Sequence, residues 1–154
     1  MDLTKQFTPE QYARALESWA WLGLDGRAPL LATLFGDILL GSDKGIWFLD
    51  TLEGSLTLRW DAPEALGAEL DTEAGRDRYL LEGLAMAAHG NGKVLGPDQV
   101  YDIVPPPILG GTFDVDHVVV SDFVVTVNIA GQLHQQLRNL APGTRISGFT
   151  IAEP

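Results

Sequence analysis

Three candidate β-strands follow one another in the stretch LFGDILLGSDKGIWFLDTLEGSLTLRW, which covers residues 34–60. The predicted strands cover residues 34–40, 45–50 and 55–60. Each turn between them carries a glycine, which accepts the positive φ that tight turns require. In the third strand Leu56, Leu58 and Trp60 alternate with polar residues, a pattern typical of a strand with one buried face. The stretch therefore predicts an antiparallel meander.

A helix is predicted before the meander, over residues 8–22. Thr8 is suited to cap its first turn, and Pro9 fits the first helical position. Gln11 completes a capping box with Thr8, in which each side chain accepts from the other residue's backbone N–H. Apolar side chains then recur at helical spacing, which predicts one buried face.

Helices are predicted before and after this antiparallel meander, which places the chain in the α+β class as a single domain. Helices are predicted over residues 62–89. Residues 99–139 are predicted to form a strand, a proline- and glycine-rich loop, a second strand and a helix. A turn at Pro142-Gly143 and a last strand over 145–151 follow. Residues 123–127 are compatible with helix or strand, because they are mostly β-branched but continue a helical spacing. The spacing favours helix. We expect a mainly antiparallel, twisted sheet with helices packed against it.

Net charge is the most informative property of the composition. Twenty-one Asp and Glu against ten Lys and Arg leave a formal net charge of -11 on 154 residues. Phosphate backbones and anionic lipids repel such a chain, so neither nucleic acid nor a membrane is expected as a partner. The chain has no cysteine, no apolar run of membrane-spanning length and no visible signal peptide. We therefore expect a soluble protein of the cytoplasm.

Motifs for catalysis or cofactor binding are missing from the sequence. The glycines and lysine of residues 90–93 lack the spacing of a phosphate-binding loop. His89, His117 and His134 are far apart and show no metal-ligand spacing. No serine lies in a G-x-S-x-G motif, and carboxylates are too abundant to indicate an acid–base pair. The expectation is a protein that is not an enzyme and holds no cofactor or metal.

Acidic residues are concentrated in one part of the chain. Residues 94–137 contain no Lys or Arg, whereas five aspartates fall within them. These candidate partner-binding residues are Asp98, Asp102, Asp114, Asp116 and Asp122. A surface of one sign raises the rate of encounter with a basic partner and discriminates against acidic ones. A solvated face without any partner is the other interpretation of the same pattern.

Several short motifs carry a resemblance to a known family. They are Phe35-Gly36-Asp37, the segment 46–51 followed by Gly54, Gln99-Val100-Tyr101, Pro106-Pro107-Ile108-Leu109-Gly110-Gly111, the VVVSDF junction at 118–123, and Gly131-Gln132-Leu133-His134-Gln135-Gln136. In combination they resemble the C-terminal domain of bacterial type VI secretion immunity proteins, a family associated with GAD-like domains. The resemblance extends over residues 34–146.

This resemblance implies a non-enzymatic protein that neutralises a cognate toxin, in known cases a DNase, inside the producing cell. It brings no binding motif to particular residues of this chain. The motif residues are expected to be scaffold, with Gly131 permitting the close approach of a neighbouring element.

A small-ligand binding or sensing module is the alternative function. Its pocket would be lined by some of Trp19, Trp47, Trp60 and Tyr101, with His134 or an aspartate as the polar contact. The same aromatic residues would also suit a hydrophobic core. Stabilisation of the protein by metabolites would favour this alternative.

Overall fold

Five strands form an antiparallel sheet in which spatial order follows chain order. The computed structural model describes residues 1–141 and 143–154. The strands are β1 (Thr4–Lys5), β2 (Ala28–Thr33), β3 (Ile38–Ser42), β4 (Gly45–Asp50) and β5 (Ser55–Trp60). The predicted meander is present, and β1 and β2 extend it at one edge.

Strands β3 and β4 place buried side chains on both faces of the sheet. In β3, Ile38 and Leu40 belong to one hydrophobic core, and Leu39 between them belongs to another. In β4, Leu49 joins the first core and Phe48 the second. Because successive side chains of a strand point to opposite faces, helices must cover the sheet on both sides.

A β-bulge in β5 overturns the predicted alternation of Leu56, Leu58 and Trp60. Ile46 pairs with Trp60 and Trp47 pairs with Leu58, so Arg59 is an extra residue in β5. The extra residue moves Trp60 to the opposite face from Leu56. Leu58 remains 41% exposed.

The first predicted strand, over 34–40, is wrong in its N-terminal half. Residues 34–37 form the tight turn between β2 and β3. The Thr33 hydroxyl accepts hydrogen bonds from the backbone N–H groups of Phe35 and Asp37, both at 3.2 Å. These local bonds replace the ladder bonds of a strand.

The predicted N-terminal helix is present as α1 (Pro9–Leu16), continued by a 3₁₀ helix over Glu17–Leu22. Its capping box forms as expected: the Gln11 N–H donates to the Thr8 hydroxyl at 3.1 Å, and the Thr8 N–H donates to the Gln11 side chain at 2.9 Å. Tyr12 and Ala15 bury one face of α1 in the core.

Three helices lie within residues 63–90, in the region where helices were predicted. They are α2 (Pro63–Leu70), α3 (Glu73–Leu80) and α4 (Glu82–Gly90). Leu81 has a φ of 51°, which ends α3 and reorients the chain into α4. The Asp77 carboxylate accepts from the Gly83 N–H at 3.0 Å and satisfies an end group of the new helix.

A second antiparallel pair, β6 (Gln99–Ile103) and β7 (Val118–Asp122), leads into α5 (Phe123–Leu137). Residues 123–127 are therefore helical, as the spacing favoured. The Asp122 carboxylate caps α5 by accepting from the Val125 N–H at 3.0 Å. Within the described part of the chain, no helix has the length and apolar character needed to cross a membrane.

The predicted last strand, over 145–151, is wrong: in the described residues this segment pairs with no strand. It lies along α5, whose side-chain amides take the place of a partner strand. Gln136 exchanges two hydrogen bonds with the backbone of Thr150, at 2.7 and 3.2 Å. Gln132 does the same with Ala152, at 2.6 and 2.7 Å. The turn predicted at Pro142-Gly143 lies partly outside the described residues.

Candidate functional site

The five candidate aspartates lie at separate places around the β6–β7 pair. Gln99 pairs with Asp122 and Ile103 pairs with Val118, so the two ends of the pair are about 13 Å apart at 3.3 Å per residue. Asp98 and Asp122 lie at one end, and Asp114 and Asp116 precede β7 at the other. Asp102 lies within β6. The structure thus divides the acidic stretch into two pairs and a single residue.

The first pair, Asp98 and Asp122, is engaged in the scaffold. Asp98 accepts a hydrogen bond from the Gln11 side chain at 2.8 Å, and Asp122 caps α5. Burial lowers the pKa of the Lys5 ammonium, and the neighbouring Asp98 carboxylate opposes that shift. Part of the negative charge at this end is therefore balanced by Lys5.

The second pair, Asp114 and Asp116, lies in an exposed 3₁₀ turn. The Asp114 carboxylate accepts from the Asp116 N–H at 3.1 Å, from the Thr112 hydroxyl and from His117 Nδ1 at 2.7 Å. Hydrogen bonds from Thr112 and then His117 lower the pKa of Asp114 to about 2. This carboxylate therefore stays ionised at any physiological pH.

A loop closed at its base joins β6 to this acidic turn. We define it as the 104–117 loop, because the Val104 N–H donates to the His117 carbonyl at 2.8 Å. The Lys93 ammonium anchors the base by donating to the carbonyls of Val115 and Val118, at 2.5 and 2.7 Å. Compact loops whose ends meet in this way are frequently functional.

The 104–117 loop exposes an unusual number of large apolar side chains. Their exposed fractions are 49% for Val104, 45% for Ile108, 38% for Leu109 and 53% for Phe113. Phe113 also lines a pocket of about 180 Å³ whose other walls include Asp50, Glu53 and Arg78. The loop therefore presents apolar side chains next to carboxylates, a composition suited to a protein–protein contact.

A smaller pocket of about 60 Å³ lies between β6, the turn after β4, the proline part of the 104–117 loop, and α5. Its walls are largely apolar and include Phe35, Ile129 and Leu133. Asp102 and Thr126 are among its polar residues. Desolvation by burial raises the pKa of Asp102, and a hydrogen bond from the Ile103 backbone opposes the shift.

Motifs that are far apart in the sequence meet around Thr51. Its N–H and hydroxyl donate to one oxygen of the Asp37 carboxyl, at 2.8 and 2.9 Å, and its carbonyl accepts from His134 Nε2 at 3.1 Å. Gly54 lies against the same imidazole, because a Cβ there would be 2.4 Å from Nδ1. Burial and then the charge of Asp50 raise the pKa of Asp37 to about 8.

This cluster explains why His134 does not resemble a catalytic base. Burial lowers its pKa, more strongly than its bonds to the Thr51 and Leu52 backbone and the charge of Asp50 raise it. The ring donates a hydrogen bond from Nε2 to the Thr51 carbonyl and lies against Gly54. The His134 side chain therefore joins α5 to the turn after β4 and has a structural role.

The expected role of Gly131, to permit the close approach of a neighbouring element, is confirmed. A Cβ there would lie 2.1 Å from the Ser18 hydroxyl and 2.8 Å from Trp19 Nε1. The close approach allows Ser18 and Trp19 to donate to α5 carbonyls at 2.6 and 2.8 Å. Gly131 thus sets the packing of the N-terminal helix on α5.

The aromatic residues proposed to line a ligand pocket are dispersed. Trp19 lies in the core under α1 and α5, Trp60 in the core under α2 and α3, and Tyr101 in a third cluster beside α4. Trp47 is half-buried, with the Arg27 guanidinium 3.8 Å from its ring centroid. These four side chains therefore do not form the predicted lining. In the described residues, no group of three or more His, Asp or Glu side chains is arranged to hold a metal ion.

The comparisons with known proteins identify a shared fold without a family. No family model matches the chain, and no curated protein matches it. Among solved structures, the chain is similar to Atu4351 from Agrobacterium tumefaciens, with a TM-score of 0.55 and 21% sequence identity. The match covers 84% of this chain and 66% of that chain, so this chain spans just under two-thirds of the neighbour's length. The similarity therefore supports the α+β fold of this chain.

Two features of the site were missed in the sequence. The sequence predicts a scaffold role for residues 106–111, although Ile108 and Leu109, like Phe113 shortly after them, lie in a proline- and glycine-rich segment that has no helix or strand periodicity to bury them. Large apolar residues in a segment without such periodicity were the available signal of an exposed apolar surface. The pocket beside Asp102 had no such signal, because Thr126 and Asp102 are brought together only by the packing of α5 on β6.

Proposed function

We propose that this chain is a non-enzymatic protein of the immunity type, which binds a basic toxin in the cytoplasm and neutralises it. The observation that carries the proposal is the 104–117 loop, where exposed apolar side chains adjoin Asp114 and Asp116. The resemblance of the sequence motifs to type VI secretion immunity proteins supplies the class of partner.

The composition of the loop matches the usual anatomy of a protein interface. A few large apolar side chains at the centre provide most of the binding free energy once water is excluded. Charged groups at the rim contribute mainly to the rate and specificity of association. Ile108, Leu109 and Phe113 suit the central role, and Asp114 and Asp116 suit the rim.

The charge of the whole chain supports a basic partner. A net charge of -11 attracts a cationic protein over a longer range than the contact itself. A toxin that acts on nucleic acid must present Lys and Arg to phosphates. An acidic protein that covers this surface would compete directly with the nucleic acid.

The test is co-expression with each protein encoded beside this gene. We expect one neighbour to arrest growth when expressed alone, to be harmless when this chain is co-expressed, and to co-purify with it. Absence of any neighbour that is both toxic and bound would overturn the proposal.

A titration then tests the non-enzymatic part. Toxin activity, measured at fixed toxin concentration well above the dissociation constant, should fall linearly and reach its minimum at a stoichiometric ratio. Complete neutralisation by a small fraction of an equivalent would instead indicate catalytic turnover of the toxin and would contradict a binding mechanism.

A further inference from the structure

The pocket beside Asp102 contains, among the described residues, a hydroxyl without a hydrogen-bond partner and a carboxylate without a paired cation. Its walls are formed mainly by the apolar side chains of Phe35, Leu52, Ile129 and Leu133. Such walls cannot hydrogen-bond, so each polar atom facing the pocket must be satisfied by the protein, by water or by a ligand.

Asp102 is the charged group of this pocket. It lies in the middle of β6 and is half-buried, and no Lys or Arg nitrogen lies within 4.0 Å of its carboxylate among the described residues. Loss of water around the carboxylate raises its pKa. A partly desolvated carboxylate without a cation is costly, and a bound positive charge would offset that cost.

Thr126 is the second unsatisfied group. Its hydroxyl oxygen is buried on α5 and has no hydrogen-bond partner in the part of the chain that the structure describes. The other polar lining residues are already engaged, since His134 Nε2 and the Thr51 backbone bond each other. The unused capacity of the pocket is therefore one anionic acceptor and one hydroxyl.

The dimensions of the pocket restrict what enters it. A volume of about 60 Å³ is far below the 300–1,000 Å³, roughly, of pockets for drug-sized ligands, so a nucleotide or an aromatic ring is excluded. An anion would be repelled by Asp102. A compact cation with N–H donors satisfies the carboxylate and the hydroxyl together, and a short alkyl chain fits the apolar walls.

We propose that this pocket binds a primary ammonium group carried on a short alkyl stem. The group is either a free small amine or the lysine side chain of a bound protein, which present the same chemistry. The inference does not rest on the proposed function, because a free amine would occupy the pocket in the absence of any toxin.

The test is a titration of the full chain with n-propylammonium chloride, followed by two-dimensional ¹H–¹⁵N NMR. We expect saturable shifts centred on Asp102 and Thr126, and no saturable shifts with n-propanol, which has a similar size but no charge. Asp102→Asn should weaken binding at least tenfold, and Thr126→Val should weaken it several-fold. Asp43→Asn, at an exposed position in the turn between β3 and β4, is the matched control with the same loss of charge, and it should bind like the wild type.

Two peptides distinguish the sources of the ammonium group. They are short, blocked peptides with one central lysine or acetyl-lysine. Binding of the lysine peptide together with the amine assigns the pocket to a protein side chain, and binding of the amine alone assigns it to a small molecule. A cooperative thermal unfolding transition is required of each variant as the control that it is folded. No saturable binding of the amine, equal binding of n-propanol, or undiminished binding by folded Asp102→Asn would overturn the proposal.

Discussion

At the scale of single residues, buried polar groups fix the turn that follows β4. Asp37 is buried and accepts two hydrogen bonds from Thr51, whose carbonyl in turn holds His134. Burial and the charge of Asp50 raise the pKa of Asp37 to about 8. The cluster therefore stabilises the fold through its hydrogen bonds, but it becomes costly when Asp37 ionises.

Asp37→Asn should make the free energy of unfolding less dependent on pH. The folded chain retains a proton that the unfolded chain releases above its ordinary pKa of 3.8, so the wild type loses stability as pH rises from about 4 to about 8. The slope for one proton is about 1.4 kcal/mol per pH unit. The asparagine side chain keeps an oxygen that can accept the hydrogen bonds from Thr51, and it has no group that titrates in this pH range.

Urea unfolding of both proteins across this pH range measures the effect. The stability of the variant relative to the wild type should increase steadily from pH 4 to pH 8. Parallel pH profiles would show that Asp37 does not retain its proton in the fold.

Gly131→Ala tests the close approach of the N-terminal helix to α5. The added methyl group would collide with Ser18 and Trp19 Nε1, so we expect a loss of about 1–3 kcal/mol in the free energy of unfolding. Gly67→Ala is the matched control, since Gly67 lies in a helix with nothing within 4 Å of the added atom. Gly67→Ala should be more stable than the wild type by about 0.5–1 kcal/mol, because alanine has a higher helix propensity than glycine. Equal effects at both positions in urea unfolding would contradict this packing.

At the scale of elements, local sequence signals were reliable where a side chain acts on its own backbone. The capping box at Thr8 could be predicted because both partners lie within three residues of each other. The bulge at Arg59 and the amide pairing of Gln132 and Gln136 were not visible. They depend on a neighbouring strand or on a segment that is distant along the chain, and residue periodicity carries no information about either.

The 104–117 loop allows a prediction at the same scale. Ile108→Ser together with Phe113→Ser removes two exposed apolar side chains, so affinity for the toxin identified by co-expression should fall at least tenfold. The melting temperature should change little, because neither side chain belongs to a hydrophobic core. Leu58→Ser, on the exposed part of β5, is the control and should bind normally. Isothermal titration calorimetry compares the three proteins, and unchanged affinity of the folded double variant would place the interface elsewhere.

At the scale of the whole molecule, the α+β class and the order of most elements could be predicted, because hydrophobic periodicity and turn residues determine them. The candidate site could be predicted only in part. The basic-free stretch drew attention to the region around β6 and β7, but four of its five aspartates are divided between the two ends of that pair, and the fifth lies within β6. Strand pairing decides which charges are neighbours, and that pairing is not readable from linear distance.

This division of the aspartates provides a matched comparison of two double variants. Asp114→Asn/Asp116→Asn and Asp98→Asn/Asp122→Asn each remove two negative charges, and each converts one capping aspartate to asparagine, which caps equally well. Long-range attraction of a basic partner is reduced by the same amount in both. A difference between them therefore reports contact at the 104–117 loop alone.

The most direct test is the association rate of each double variant with the toxin identified by co-expression, measured by surface plasmon resonance at increasing salt concentrations. Wild-type association should slow as salt rises, because exposed charges are screened within about 8–10 Å at physiological ionic strength. Asp114→Asn/Asp116→Asn should associate about 3- to 10-fold more slowly than Asp98→Asn/Asp122→Asn. Salt-independent association, or equal association rates of the two variants, would contradict an acidic interface at the 104–117 loop.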